Sequence, residues 1–234
     1  MERTFGDDFA KGLHSMASPL KHLVALVRNI ETGLSNGQFT LTLVSSVLAY
    51  LARDLSHPPA LDSFQATTST AKLDKYNQLK SYLDDLYYLE HVFDNLVSLC
   101  IIHGDGTLRG VISLQSFPSL RGLEIRRLPL HLLKGLSNFR GQLETVICTR
   151  SLQDISLLLQ KCGGDATSFS LWPELKTLVC NDCDIELIGQ SLELAPSLQN
   201  IDFRYNSNTL FVFSYLYHFS ILVGILSSIA VTPF

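Results

Sequence analysis

The chain has 234 residues, 46% of them hydrophobic and 17% charged, with a formal net charge of −4. Such a length and apolar content suffice for one domain or two small ones, and the near-neutral balance argues against a nucleic-acid binder or an acidic tail. Five cysteines, an odd number at irregular spacing, point away from a disulfide framework and towards a reducing, cytoplasmic setting.

The first residues, MERTFGDDFAKGL, place acids where a secretory leader needs bases, and no apolar stretch follows them. Ser18-Pro19 reads as an N-cap with proline at the first helical position. Leu20, Leu23, Val27 and Ile30 then share a helical face that Gly33 closes. Phe39 to Leu43 alternates as a short strand, and Val44, Val47, Leu48 and Leu51 mark a second helix ending before His57-Pro58-Pro59. Residues 1–60 are therefore expected to be a helical region and 61–71 a linker. A third helix is expected over 72–93, with Leu73, Tyr76, Leu79, Leu83, Leu86 and Leu89 on its inner side.

From Leu96 onward one spacing dominates. L-x-x-L-x-L occurs at Leu96-Leu99-Ile101, Leu120-Leu123-Ile125, Leu143-Val146-Cys148, Leu175-Leu178-Cys180 and Leu198-Ile201-Phe203. The starts lie 24, 23, 32 and 23 residues apart, which fits leucine-rich repeats with one longer unit. The expected fold is α/β: a solenoid with a curved parallel sheet over 72–208 and a helical cap before it. Within each triplet the hydrophobes point inward and the residues between them face the concave surface. Leu130, Leu133, Leu136 and Phe139 form an apolar stripe on the returning, convex side. In the long third unit, Ser151-x-x-Asp154 resembles a capping box, Leu152, Ile155, Leu158 and Leu159 supply a packed face, and Gly163-Gly164 ends the helix. That helix is expected to account for the extra length.

The runs FPSLRGLEIRRLPLHLLKGL, GQLETVICTRSLQDISLLLQKCGGD, WPELKTLVCNDCDI and SLELAPSLQNIDFRYN resemble the serine/threonine-protein kinase 11-interacting protein family and its plant relatives. The likeness covers roughly Leu96–Asn206, with fainter agreement around GQFTLTL. It implies a cytoplasmic scaffold, linked in animals to a serine/threonine kinase and to endolysosomal membranes. The family continues into further repeats and a long additional region, whereas this chain loses the repeat phase after Asn208.

Catalytic signatures are missing from the sequence. Cys180-Asn181-Asp182-Cys183 is a lone CxxC, and the repeat assigns Cys180 to an inward position like that of Cys148 and Cys183 to the position of Asn206. Gly104-Asp105-Gly106 lacks the lysine of a phosphate loop, and the seven histidines show no metal spacing. No enzyme, metal or cofactor is expected. The expectation is a protein partner, with a serine/threonine kinase as the candidate, held on concave columns that include Glu124, Arg126, Arg127, Thr149, Arg150, Asn181, Asp202, Arg204 and Tyr205. The charge along the chain is banded: Met1–Leu61 sums to zero, Asp62–His103 to about −3, Gly104–Arg150 to about +4 and Ser151–Asn208 to about −5. Such banding suits a polar partner.

Thr209–Phe234 carries no Asp, Glu, Lys or Arg. Three readings stay open: a membrane-spanning anchor, with Tyr215 and Tyr217 at an interface, an improvised cap on the last repeat, or a product of truncation or shifted translation.

Overall fold

The computed structural model describes residues 5–59, 70–104, 110–206 and 210–211. Three helices, α1 (Phe5–Ser35), α2 (Ser45–Ser56) and α3 (Thr70–Asp94), precede most of the strands. One six-stranded sheet runs through the rest: β1 (Leu41–Val44), β2 (Ser98–Ile102), β4 (Gly122–Arg126), β6 (Thr145–Thr149), β7 (Thr177–Asn181) and β9 (Asn200–Asp202). All neighbours are parallel and follow chain order. Parallel neighbours need a long crossover. The crossover from β1 to β2 carries α2 and α3, and the later ones use short pieces: β3 (Ile112–Ser113), β5 (Leu133–Lys134), β8 (Leu187–Ile188), 3-10 turns and the four-residue α4 (Ser156–Leu159), while β10 (Leu210–Phe211) follows β9 and pairs with β8.

The five triplets fall in register. Leu99, Leu123, Val146, Leu178 and Ile201 stand opposite one another, as do Ile101, Ile125, Cys148 and Cys180. Their side chains, with the leading leucines at 96, 120, 143, 175 and 198, are buried. Period-two alternation puts both strand hydrophobes on one face, which makes the buried side a continuous core. The stripe of Leu130, Leu133, Leu136 and Phe139 closes it from behind, together with Trp172 and the mutually tilted rings of Phe93 and Phe117, whose centroids lie 4.9 Å apart.

β1 extends the series. Leu41 and Leu43 pair with Leu99 and Ile101, so the short strand expected near residue 40 is the first strand of the same sheet. A glutamine at position 38 replaces the leading leucine, which hides it from a triplet search.

The helices differ from expectation in extent. α1 begins at Phe5 and passes through Ser18-Pro19, so that pair is not its N-terminus. Proline removes one backbone donor from a helix interior, and α1 runs through that gap in a span of 31 residues. Leu20, Val24, Val27 and Leu34 are buried, Leu23 and Ile30 partly so. On α3, Tyr82, Val92 and Phe93 join Leu79, Leu83, Leu86 and Leu89 in the core, whereas Tyr76 is only half-buried. Polar clasps fix the helices: Tyr88 donates to Glu31 (2.7 Å), and Tyr82 donates to the buried Asp54 (2.6 Å), which also pairs with Arg53 (2.9 Å).

The long unit corrects the helix reading. Ser151 caps nothing there; its hydroxyl donates to the carbonyls of Ile125 (3.0 Å) and Thr149 (2.8 Å). Asp154 alone receives the N–H of Ser156 (2.8 Å), and the helix lasts one turn. Most of the added length is a loop over residues 160–172 fastened to buried Arg140. Its guanidinium donates to the carbonyls of Gln160, Ser168 and Ser170 at 2.9, 3.1 and 2.5 Å and to Cys162 Sγ at 3.0 Å, beside the Trp172 ring. Gly163 and Gly164 press on the preceding crossover: an added Cβ would lie 2.5 Å from the carbonyl oxygen of Leu130 or of His131 respectively. Replacing Gly164 by alanine is expected to cost about 2 kcal/mol, read as a lower urea midpoint with an unchanged slope.

Among the described residues no helix is long and apolar enough to cross a membrane. The readings of Thr209–Phe234 lie, save for Leu210 and Phe211, outside the described residues.

Candidate protein-binding face

The sheet face opposite the core carries three side-chain columns. The first runs Ser98, Gly122, Thr145, Thr177, Asn200 and the second Thr42, Cys100, Glu124, Ile147, Val179, Asp202. Val44, Ile102, Arg126, Thr149 and Asn181 form the third. Most of these side chains are half-buried or exposed; Cys100 is the covered one, its thiol pushed up to about 11 by burial and by the nearby Glu124 carboxylate.

Beyond the third column the backbone turns sharply. Arg127, Arg150, Asp182 and Tyr205, each two residues past the last inward hydrophobe, all hold the left-handed conformation, with φ of 56°, 52°, 54° and 61°. Non-glycine residues rarely adopt it. The next side chain then points back inside. Ser151, Cys183 and Asn206 each donate to a carbonyl of the preceding strand: Ile125 (3.0 Å), Cys148 (3.5 Å) and Cys180 (2.6 Å). Asn206 Oδ1 also accepts from the N–H groups of Cys183 (2.9 Å) and Ile185 (3.2 Å). Both cysteines of the CxxC thus sit where the repeat phase put them. The adjoining Cys148 thiol and burial push the Cys180 thiol well up, and burial raises that of Cys183, so neither is inclined to ionise.

Of the nine residues singled out from the sequence, Glu124, Arg126, Asn181, Asp202 and Arg204 bond to one another in two sets along the strand exits. Arg126 donates through Nε to Glu124 Oε1 (2.6 Å), its neighbour two residues earlier on the same face. Arg204 repeats that arrangement, gripping Asp202 through Nε (2.9 Å) and Nη2 (2.6 Å). Burial pushes the Asp202 carboxyl up, but the Arg204 donors and the Asn181 amide outweigh it and hold it below the usual range. Asn181 Nδ2 reaches Asp202 at 3.3 Å, while its buried Oδ1 has no hydrogen-bond partner. Arg150 pairs with Asp182. Thr149 lies between Arg126 and Arg150, Arg127 makes no side-chain bond among the described residues, and Tyr205 is 68% exposed.

The strand entrances hold a second set absent from the sequence-based selection. Glu144 bridges Arg121 (2.9 Å) and Lys176 (2.8 Å), tying three successive strands together. Beside it a groove of about 450 Å³ is lined by Asn36, Thr40, Ser98, Gly122, Arg121, Glu144, Thr145 and Ile147, among others. Gly122 leaves the depression: a Cβ there would meet Ser98 Oγ at 2.9 Å. Arg121, Glu144 and Lys176 share one place in the triplet, directly after the leading leucine, a position that aligning the triplets brings out.

No protein-family model matches the chain. Curated relatives do, among them three serine/threonine-protein kinase 11-interacting proteins. The human protein is 38% identical over 123 residues, covering 52% of this chain and 11% of the relative. For the mouse protein the figures are 31% over 180 residues, 76% and 16%, and for the chicken protein 27% over 199 residues, 84% and 18%. The chain is homologous to these proteins over most of its length. It spans less than a fifth of the length of each of these relatives.

Lys176 and Arg121 hold the Glu144 carboxyl below its usual range. A carboxylate whose folded-state pKa is depressed stabilises the fold above its unfolded-state pKa, and that contribution disappears as pH falls through the folded value. Urea unfolding on the acid side of about pH 4 should therefore show a steeper loss of stability in the parent chain than in Glu144→Gln. Parallel curves would remove the bridge from the account.

Proposed function

We propose that this chain is the leucine-rich-repeat part of a cytoplasmic scaffold, a solenoid whose concave sheet face holds a protein partner without chemical turnover. The observation that carries this reading is the unbroken sequential order of six parallel strands, with uniformly apolar columns on one side and mixed polar columns on the other. A stack of such units buries a continuous core and leaves the opposite face available along its length. The two cysteines that most invited a catalytic reading instead serve the core and the carbonyl ladder.

The relatives are named for interacting with serine/threonine kinase 11, so a serine/threonine kinase is the proposed partner class. Ile147 sits mid-face beside the groove. In Ile147→Arg a new charge and a longer side chain would stand where a partner must close against the sheet. Affinity for purified serine/threonine kinase 11, measured by biolayer interferometry, is expected to fall at least about tenfold, or 1.4 kcal/mol, with thermal unfolding unchanged. Equal affinity would exclude the face as the kinase site.

A tail-anchored adaptor is a second reading, favoured by the uncharged Thr209–Phe234 stretch. Carbonate extraction of cells expressing the full chain or a chain stopped at Asn208 separates the two: an anchor keeps only the full chain in the membrane pellet, whereas release of both leaves the scaffold reading alone.

A further inference from the structure

Three arginines gather around one residue of the open face. Arg126 stands opposite Thr149 in the sheet register, Arg150 follows Thr149 directly, and the Arg127 N–H donates to the Thr149 carbonyl at 2.8 Å. All three therefore leave the backbone within about one strand spacing, some 5 Å. The left-handed turn at Arg127 and Arg150 is the same in both, so the two side chains depart from equivalent points on adjacent strands.

Two of the three arms are braced without being used up. Arg126 meets Glu124, and Arg150 meets Asp182, each through Nε. The Nη1 and Nη2 groups at the far end of each guanidinium have no partner among the described residues, and the two side chains are 50% and 63% exposed. Arg127 has no side-chain partner among them at all. Among the described residues three cations face two carboxylates, which leaves a positive surplus there. A guanidinium held by Nε can still offer its other two donors as a fork to a second acceptor. The three forks spring from neighbouring backbone points, with Arg126 drawn to Glu124 and Arg150 to Asp182 at the exit of the next strand, so the chemistry of an acceptor that reaches more than one of them matters. A carboxylate has two oxygens and one charge and fills one fork. A phosphoryl group has three terminal oxygens and close to two charges, enough to engage more than one fork and to offset the mutual repulsion of the arginines.

We infer that Arg126, Arg127 and Arg150 form a receptor for a phosphorylated serine or threonine in a segment of the protein partner. The inference rests on the reading of this face as a partner-binding surface, and it names the group recognised at the strand-exit end. The groove beside Arg121 and Thr145 lies at the opposite, strand-entry end of the same strands.

The test uses the full chain and three fluorescein-labelled pools of nine-residue peptides with randomised flanks. Their centres are fixed as phosphoserine, serine or glutamate. Fluorescence anisotropy is expected to show at least tenfold tighter binding of the phosphoserine pool than of either other pool. In Arg127→Gln/Arg150→Gln that preference should vanish, and in Arg127→Lys/Arg150→Lys, which keeps the charge but loses the forks, it should be reduced. Equal binding of the glutamate pool, persistence of the preference in the glutamine variant, or equally tight binding of single-stranded polyuridylate would overturn the assignment. Thr145→Arg separates the two levels of the argument. It should weaken kinase binding while sparing the phosphoserine preference, so loss of the receptor proposal alone leaves the face reading intact. Circular dichroism melts of every variant exclude unfolding as the cause of a lost signal.

Discussion

Every strand of the main sheet must end in a way that lets the next one begin beside it, and the turn leaving each strand is where that constraint is met. A parallel strand that stops abruptly exposes carbonyls that no neighbour reaches, and buried carbonyls must find donors. After β6, β7 and β9 the chain meets this demand with one left-handed residue followed by one inward donor, and after β4 the left-handed Arg127 is followed by buried Leu128. Ser151, Cys183 and Asn206 are chemically unlike, yet each offers a hydrogen at the same place in the fold. From β4 onward the direction of each returning segment is set by that left-handed turn, which recurs at Arg127, Arg150, Asp182 and Tyr205.

Legibility in the sequence followed the range of the interactions. The triplets were readable because strand alternation is local: two hydrophobes two residues apart share a face wherever the strand lies. The Glu124–Arg126 and Asp202–Arg204 pairs obey the same rule and could be read as same-face neighbours. Glu144 was not recognisable in this way, since its partners Arg121 and Lys176 lie 23 and 32 residues away and meet it only when three strands stand side by side. The role of Arg140 was hidden for a related reason. Its acceptors are backbone carbonyls, which every residue has, so no residue pattern announces them. The one-turn helix over Ser156–Leu159 shows the converse: Leu152, Ile155, Leu158 and Leu159 are all buried as their spacing suggests, but burial alone does not extend a helix.

The same economy governs the charged face. Carboxylates at Glu124, Asp182 and Asp202 orient arginines, while Glu144 joins one strand entrance to its neighbours. Exposed ion pairs contribute little to stability, so their effect is better understood as restricting where long side chains point. An arginine already held in place loses less conformational freedom when a partner arrives. Homology to kinase-interacting proteins and the absence of charge from the inner columns agree with a division of labour between the two sides of the sheet.

Arg140 has one more consequence. Because it grips the 160–172 loop by main-chain oxygens, it is indifferent to most of the side chains that loop carries. Phe169, between the held carbonyls of Ser168 and Ser170, is 72% exposed, and Leu171, directly after them, is 54% exposed. Side chains at those two positions can change without touching the fastening, which makes the longest unit a place where a foreign motif could be grafted onto a held main chain.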